Sequence, residues 1–230
     1  MSNSPQQAHA VSGTVIRSAK VFKGLSDDAV DRLGAAATIK YLKRHTTVFY
    51  DGDKSQSVFI IMAGRMHVLN SETDGKEFII SQMGPGELFG EMGLIDGSLR
   101  SATVVAAEPS TLVEISSQAF LACLEQNPDV AVAVTKSVAE RLRKATTTVK
   151  NLALGNVEQR IRVLLENISI ADGPSRRVPY KITQSDIAKM VGASREMVTR
   201  IMGQLVEAGA IAHDQQGMLL LLDLPPPGKR

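Results

Sequence analysis

The stretch GPGELFGEMGLIDGSLRSA, Gly84 to Ala102, carries the feature on which the rest of the chain turns. Its glycines at 84, 86, 90 and 93 permit sharp turns and close approach of backbone to a ligand. Gly90, Glu91 and Met92 open a short apolar turn whose free N–H groups suit an anion. Nine residues after Glu91 come Arg100 and Ser101, a fork of donors beside a hydroxyl. Guanidinium donors match phosphate oxygens two at a time. Glu91 is repelled by a phosphate, so it is expected to accept from a neutral donor such as a sugar hydroxyl. Together these residues suit a nucleotide with one phosphate and a free ribose hydroxyl. The alternative is a surface hairpin whose Arg and Glu pair only with each other.

On either side of this stretch, the segment from Ile39 to Ile115 alternates or runs apolar in short pieces: Thr47–Tyr50, Val58–Met62, Met66–Leu69, Phe78–Met83, Thr103–Val105 and Thr111–Ile115. Turns at Asp51-Gly52-Asp53, Ala63-Gly64 and Asp74-Gly75 punctuate them. Short strands at regular spacing predict an all-β barrel or roll. Most of the glycines are then ordinary turn residues. Ahead of this segment, Val21, Phe22, Leu25, Val30 and Leu33 predict short helices, with Ser26-Asp27-Asp28 as a cap. Residues 1–13 are polar and expected to be disordered.

Beyond it, Ser117 to Gln126 predicts a short helix closed by Asn127-Pro128. The longest helical pattern runs from Asp129 to about Gly155. Val138, Leu142, Ala145, Val149, Leu152 and Asn156 recur at steps of 4, 3, 4, 3 and 4, the spacing of a two-stranded coiled-coil seam. The alternative is a face buried against the same chain, with Arg141, Arg143 and Lys144 solvated. A hinge is expected at Gly155-Asn156, then a helix over 157–168, a loop over 171–177 and a short strand over Val178–Ile182.

Thr183-Gln184-Ser185-Asp186 has the layout of a capping box. Ile187, Ala188 and Val191 give an apolar face, Gly192 a turn, Ser194 a second cap, and Val198, Ile201 and Leu205 resume the face. Two helices joined by a tight turn containing Gly form a helix-turn-helix. Ala208-Gly209 ends the second helix. Ala210–Ala212 and Met218–Leu222, around Gln216-Gly217, predict a two-stranded wing before a Pro-Pro-Pro-Gly-Lys-Arg tail. The second helix of such a pair reads base edges with its early residues. Here these are Ser194, Arg195, Glu196, Thr199 and Arg200, with Thr183 at the start of the first helix. Arg suits guanine O6 and N7, and Glu suits cytosine N4. Alternatively, Glu196 and Arg200 form a surface pair.

Composition bounds the rest. A chain of 230 residues with a formal charge of +2 places any nucleic-acid affinity in local basic patches. The single Cys123 excludes an intrachain disulfide or a four-cysteine cluster. His45, His67 and His213 are scattered, so no haem, metal or iron–sulfur site is expected. There is no Ser/His/Asp set and no paired carboxylates at a reactive spacing, which argues against an enzyme. The absence of Trp argues against single-strand stacking. No signal pattern or membrane-length apolar run is present, so a cytoplasmic protein with no membrane partner is expected.

FGEMGL followed by RSA resembles the phosphate-binding cassette of cyclic-nucleotide-binding domains, as found in the cyclic-AMP receptor protein/fumarate-nitrate regulator (CRP/FNR) family of bacterial transcription factors. The resemblance spans about residues 20–224. It implies an α+β fold, comprising a jelly-roll-like β-roll over 14–128, a dimerisation helix over 129–155 and a winged helix-turn-helix over 156–230. It implies a homodimer that binds double-stranded DNA, contacts RNA polymerase through the 171–177 region and is gated by a cyclic nucleotide. Ligand positions carried over are Ser81, Gly90, Glu91, Met92, Arg100, Ser101, Arg141, Ala145 and Thr146. At the last two, the family's Thr-Ser pair becomes Ala145-Thr146, leaving one hydroxyl. Cyclic AMP is the first expectation, with cyclic GMP, cyclic di-GMP or ligand-independent action as alternatives. Ser-Arg-Glu-x-Val-x-Arg resembles the receptor-protein branch, which implies TGTGA-type half-sites, although Thr199 replaces that branch's Gly. A kinase regulatory subunit would share the cassette but has no use for residues 183–205.

Overall fold

A computed structural model of the chain describes residues 11–71, 77–154, 156–173, 175–215 and 219–222. The expected turn at Asp74-Gly75, Gly155 of the expected hinge, the wing turn at Gln216-Gly217, the tail and most of the polar N-terminus lie outside the described residues. The backbone clusters into two compact units divided within the long helix, between Leu142 and Arg143.

Two short helical turns, α1 (Gly13–Ile16) and a 3-10 turn at Lys20–Phe22, precede helix α2 (Asp27–Ala35). Ser26 caps α2 by accepting from the Ala29 amide, as its sequence position predicts. Val11 is buried and donates its amide to the Gly34 carbonyl at 3.0 Å, so order begins before residue 13, earlier than expected. Eight strands follow: β1 (Ala37–Leu42), β2 (Thr47–Phe49), β3 (Ser57–Ala63), β4 (Met66–Ser71), β5 (Glu77–Met83), β6 (Leu88–Phe89), β7 (Thr103–Ala106) and β8 (Ser110–Ser116). They form two four-stranded sheets, ordered β1-β8-β3-β6 and β2-β7-β4-β5. A short helix, α3 (Met92–Ile95), interrupts the strands between β6 and β7.

Strand β3 is buried from Ser57 through Ile61 because both of its faces are covered. Successive side chains point to opposite faces. Val58 and Ile60 join the core shared with α2, α4 (Ser117–Gln126) and the start of the long helix. Phe59 and Ile61 join Met66, Phe89, Val104 and Leu112 in a separate cluster. The continuous apolar run Val58–Met62 is thus a doubly covered strand, not an amphipathic one.

The long helix, α5, runs Pro128–Leu154, with Pro128 at the first helical position, where a missing N–H is harmless. It ends two residues before Asn156. Asn156 instead caps α6 (Val157–Ile168): its side chain accepts from the Gln159 amide, and the Gln159 side chain accepts from the Asn156 amide. The expected seam therefore loses Asn156, because a cap takes extended backbone and cannot continue the preceding helix.

The second unit's remaining elements are β9 (Ile170–Asp172), β10 (Ser175–Arg177), α7 (Gln184–Val191), α8 (Arg195–Glu207), β11 (Ile211–His213) and β12 (Leu219–Leu221). Two expectations are corrected here. The 171–177 segment is not a loop, since β9 and β10 pair antiparallel and join the wing in a sheet ordered β11-β12-β10-β9. Val178–Ile182 is not a strand. Pro179 lacks an amide to donate, while Val178 is tied to the sheet through its amide, which donates to the Leu219 carbonyl. Ile161, Leu165, Ile187, Val191, Val198, Ile201 and Leu205 lead a separate core for this unit.

Candidate functional site

The cassette is built where β6 ends. Gly90 takes φ +81°, and a Cβ there would lie 2.7 Å from Arg100 Nη1, so both the conformation and the space demand glycine. At Gly93, a Cβ would fall 2.2 Å from Ser55 Oγ and 2.6 Å from the Ser98 carbonyl. Asp96 closes the α3 turn by accepting from the Ser98 amide and hydroxyl at 2.9 and 2.6 Å. Those bonds hold its carboxyl below the usual carboxylate range.

Arg100 is tied in at both backbone and side chain. Its amide donates to the Asp53 carbonyl at 2.8 Å, and its carbonyl accepts from Gly52 at 2.9 Å. Nη1 donates to the Gly90 carbonyl at 2.5 Å and Nη2 to the Ser57 carbonyl at 2.7 Å. Burial pushes the guanidinium's pKa down, against the carboxylates of Asp53, Glu91 and Glu114, which push it up. The fork expected to present itself whole to a phosphate is thus partly engaged by protein carbonyls. Its Nε is buried and has no partner.

Glu91 is 1% exposed. Its Oε1 accepts from Arg141 Nη1 at 2.7 Å, and Arg141 also donates to the Leu88 carbonyl. Its Oε2 is buried without a partner, as is Ser55 Oγ. A buried polar atom left unmade costs about 1–3 kcal/mol, and a charged one more. Three such atoms (Glu91 Oε2, Arg100 Nε and Ser55 Oγ) belong to the cassette or lie against it. One donor and one acceptor of full charge stand unsatisfied within a single loop, an arrangement that suits a ligand offering an anion and a hydroxyl.

The structure thus brings Gly90, Glu91, Arg100 and Arg141 together through two neighbouring hydrogen-bonded pairs, Arg100 with Gly90 and Arg141 with Glu91. Met92 and Ser101 flank it and are exposed, and Ser81 is exposed on β5. Ala145 and Thr146 follow Arg141 on α5, also exposed. Residue reasoning missed Ser55 and Phe49, whose ring lies under the Arg100 guanidinium with Cζ 4.1 Å from its centroid. Neither belongs to the glycine-rich stretch, so its spacing carried no signal for them. Among the described residues the histidines lie on separate elements, with His45 in the turn after β1, His67 on β4 and His213 on β11.

In the second unit, Thr183 caps α7 in a box with Asp186, and Gly192 takes the left-handed conformation, φ 60° and ψ 52°, in the turn. Ser194 caps α8 by accepting from the Met197 amide at 3.2 Å. Arg195, Glu196, Thr199 and Arg200 all stand exposed on the first two turns of α8. Thr199 donates to the Arg195 carbonyl and lies within hydrogen-bond distance of Gln184 Oε1, tying α8 to α7. Among the described residues, no ion pair joins Glu196 to Arg200, so both charged ends stand clear of each other.

Residues 39–127 match the cyclic nucleotide-binding domain family, and residues 159–225 match the Crp-like helix-turn-helix domain. The cAMP-activated global transcriptional regulator CRP of Pasteurella multocida is 34% identical over 171 residues, 73% of this chain and 82% of its own. The cAMP-activated global transcriptional regulator Vfr of Pseudomonas aeruginosa is 34% identical over 189 residues, 79% of this chain and 88% of its own. This chain belongs to the CRP/FNR family of transcriptional regulators. Solved structures share its fold. The c-di-GMP responsive regulator CLP of Xanthomonas campestris has a TM-score of 0.71 at 23% identity, over 86% of this chain and 100% of its own. FixK2 of Bradyrhizobium japonicum reaches 0.74 at 18%, over 84% and 98%. As a CRP/FNR-family regulator, the chain is a cyclic-nucleotide-regulated DNA-binding protein whose cassette lies in the first matched segment and whose α7–α8 pair lies in the second.

Proposed function

We propose that this regulator works as a homodimer gated by cyclic AMP and reads TGTGA-type palindromic half-sites. The pairing of an unsatisfied buried donor, Arg100 Nε, with an unsatisfied buried acceptor, Glu91 Oε2, carries the reading. Arg100, with the Ser101 hydroxyl and the amides near Gly90 and Met92, holds the cyclic phosphate, and Glu91 accepts from the ribose hydroxyl. Arg141 orients Glu91. Ser81, Ala145 and Thr146 contribute to the base side, where Thr146 supplies the hydroxyl. Relatives at 34% identity named as cAMP-activated support the choice of nucleotide.

Leu142 is 67% and Val149 63% exposed on α5, and they supply the seam for the second copy. Ligand at Glu91 alters the Arg141 contact at one end of this seam. The shift along α5 resets the two α8 helices to half-sites about one DNA turn apart. Arg195, Glu196 and Arg200 read base edges, Thr199 adds a phosphate or thymine-methyl contact, and Thr183 and Ser194 fix the helices that carry them. The β9–β10 hairpin is the surface offered to RNA polymerase.

The test is a titration of the purified protein with cyclic AMP, cyclic GMP and cyclic di-GMP, following affinity for a TGTGA palindrome. Cyclic AMP is expected to raise that affinity at least tenfold. Arg100→Leu should abolish nucleotide binding by calorimetry, since it leaves the phosphate without its counter-charge. A response to cyclic di-GMP alone would reassign the ligand, and unchanged affinity in Arg100→Leu would reject this pocket.

A further inference from the structure

Three of the chain's six phenylalanines gather beneath Arg100. The rings of Phe59 and Phe89 stack with centroids 5.2 Å apart, and Phe49 lies 5.9 and 6.0 Å from them. The guanidinium Cζ sits 4.1 Å from the Phe49 centroid and 5.9 Å from that of Phe59, inside the range of a cation–π contact. Phe49 does not reach this place by regular strand geometry. Thr47 pairs with Val105 and Phe49 with Val104, so β2 advances two residues while β7 advances one. Such a bulge re-aims the side chain it carries. Three and four residues after Phe49, Gly52 and Asp53 make the two backbone bonds that hold Arg100. The strand bearing the ring and the loop bearing the cation are therefore fixed to each other.

We propose that Phe49 is a positioning residue for the ligand, acting through Arg100. The contact rests on the reading of Arg100 as the phosphate holder and deepens it. Two carbonyls take one hydrogen each from Nη1 and Nη2, which fixes the direction of the guanidinium but leaves it free to rock about that edge. The ring, with its centroid 4.1 Å from Cζ, restricts this freedom, so the unpartnered Nε–H keeps one orientation. A guanidinium ordered before binding loses less freedom when the ligand arrives. The ring also screens one face of a buried cation from water while offering the negative face of its quadrupole.

The test compares wild type, Phe49→Leu and Phe49→Tyr in the full-length protein. Leu keeps the apolar bulk but has no π-face, and Tyr restores the face. By calorimetry with cyclic AMP, cyclic GMP and cyclic di-GMP, Phe49→Leu should weaken the nucleotide that binds by about 3- to 30-fold. Phe49→Tyr should return it to within about twofold of wild type. The Arg100 Nε–H proton, followed by NMR, should be displaced by the ring current in wild type and Phe49→Tyr and should move back in Phe49→Leu. Relaxation of that proton in the unliganded protein should show the guanidinium ordered in wild type and Phe49→Tyr and loosened in Phe49→Leu, which loss of packing bulk alone, retained by Leu, would not produce. Wild type that binds none of the three nucleotides overturns the functional reading. Wild type that binds, with Phe49→Leu equally tight or Phe49→Tyr as weak as Phe49→Leu, overturns the role of Phe49 alone.

Discussion

Gly90 joins two demands that only one residue type meets: a positive φ, and an arginine nitrogen where a side chain would begin. Gly90→Ala should destabilise the first unit by about 1–3 kcal/mol in urea unfolding and displace the Arg100 fork. Nucleotide affinity by calorimetry should fall with it, and an unchanged midpoint and affinity would show that the loop relaxes freely. At this scale much of the cassette was legible, because a guanidinium, a carboxylate and glycines have few chemistries in common. The contacts that complete it were not. Arg141 donates to Glu91 from fifty positions further along the chain; the resemblance placed Arg141 in the pocket, but neither it nor spacing gave this pairing. Phe49 belongs to a run that reads only as a strand, and no periodicity announces a bulge.

Elements reveal themselves through their ends and their burial, and both signals vary in strength. The caps at Ser26, Thr183 and Ser194 were readable, since a side-chain oxygen three residues before a free amide is a local event. Ser194→Ala should cost about 1 kcal/mol of stability in the second unit. Chemical denaturation checks this, and an unchanged midpoint would mean that contacts such as that of Thr199 with Gln184 hold the α8 start without the cap. Strand β1 was missed because only Ala37 is buried and the next four residues are exposed, so its apolar alternation is too weak to stand out. Its pairing with β8, Ala37 opposite Ile115 onward, is a long-range fact. Val178–Ile182 failed in the opposite sense. Its composition suits a strand, but Pro179 cannot continue a ladder, while the charged Ser175–Arg177 segment finds partners on both sides.

For the whole molecule, the order of sensor, long helix and reader was legible from successive changes of period, and the family matches agree with it. The proposed dimer uses the face of α5 on which Leu142 and Val149 are exposed. Leu142→Glu, placed on the exposed face of α5, should convert dimer to monomer in analytical ultracentrifugation and weaken palindrome binding at least tenfold, while each half-site contact stays intact. A variant that sediments as wild type would remove α5 as the seam. The capping box at Asn156 has a further consequence. Because α6 begins with its own cap and the reader encloses its own core, substitutions in the cassette are expected to change the response to ligand and leave the base preference of α8 as it is. On the proposed function, signal and address would then be separable by mutation.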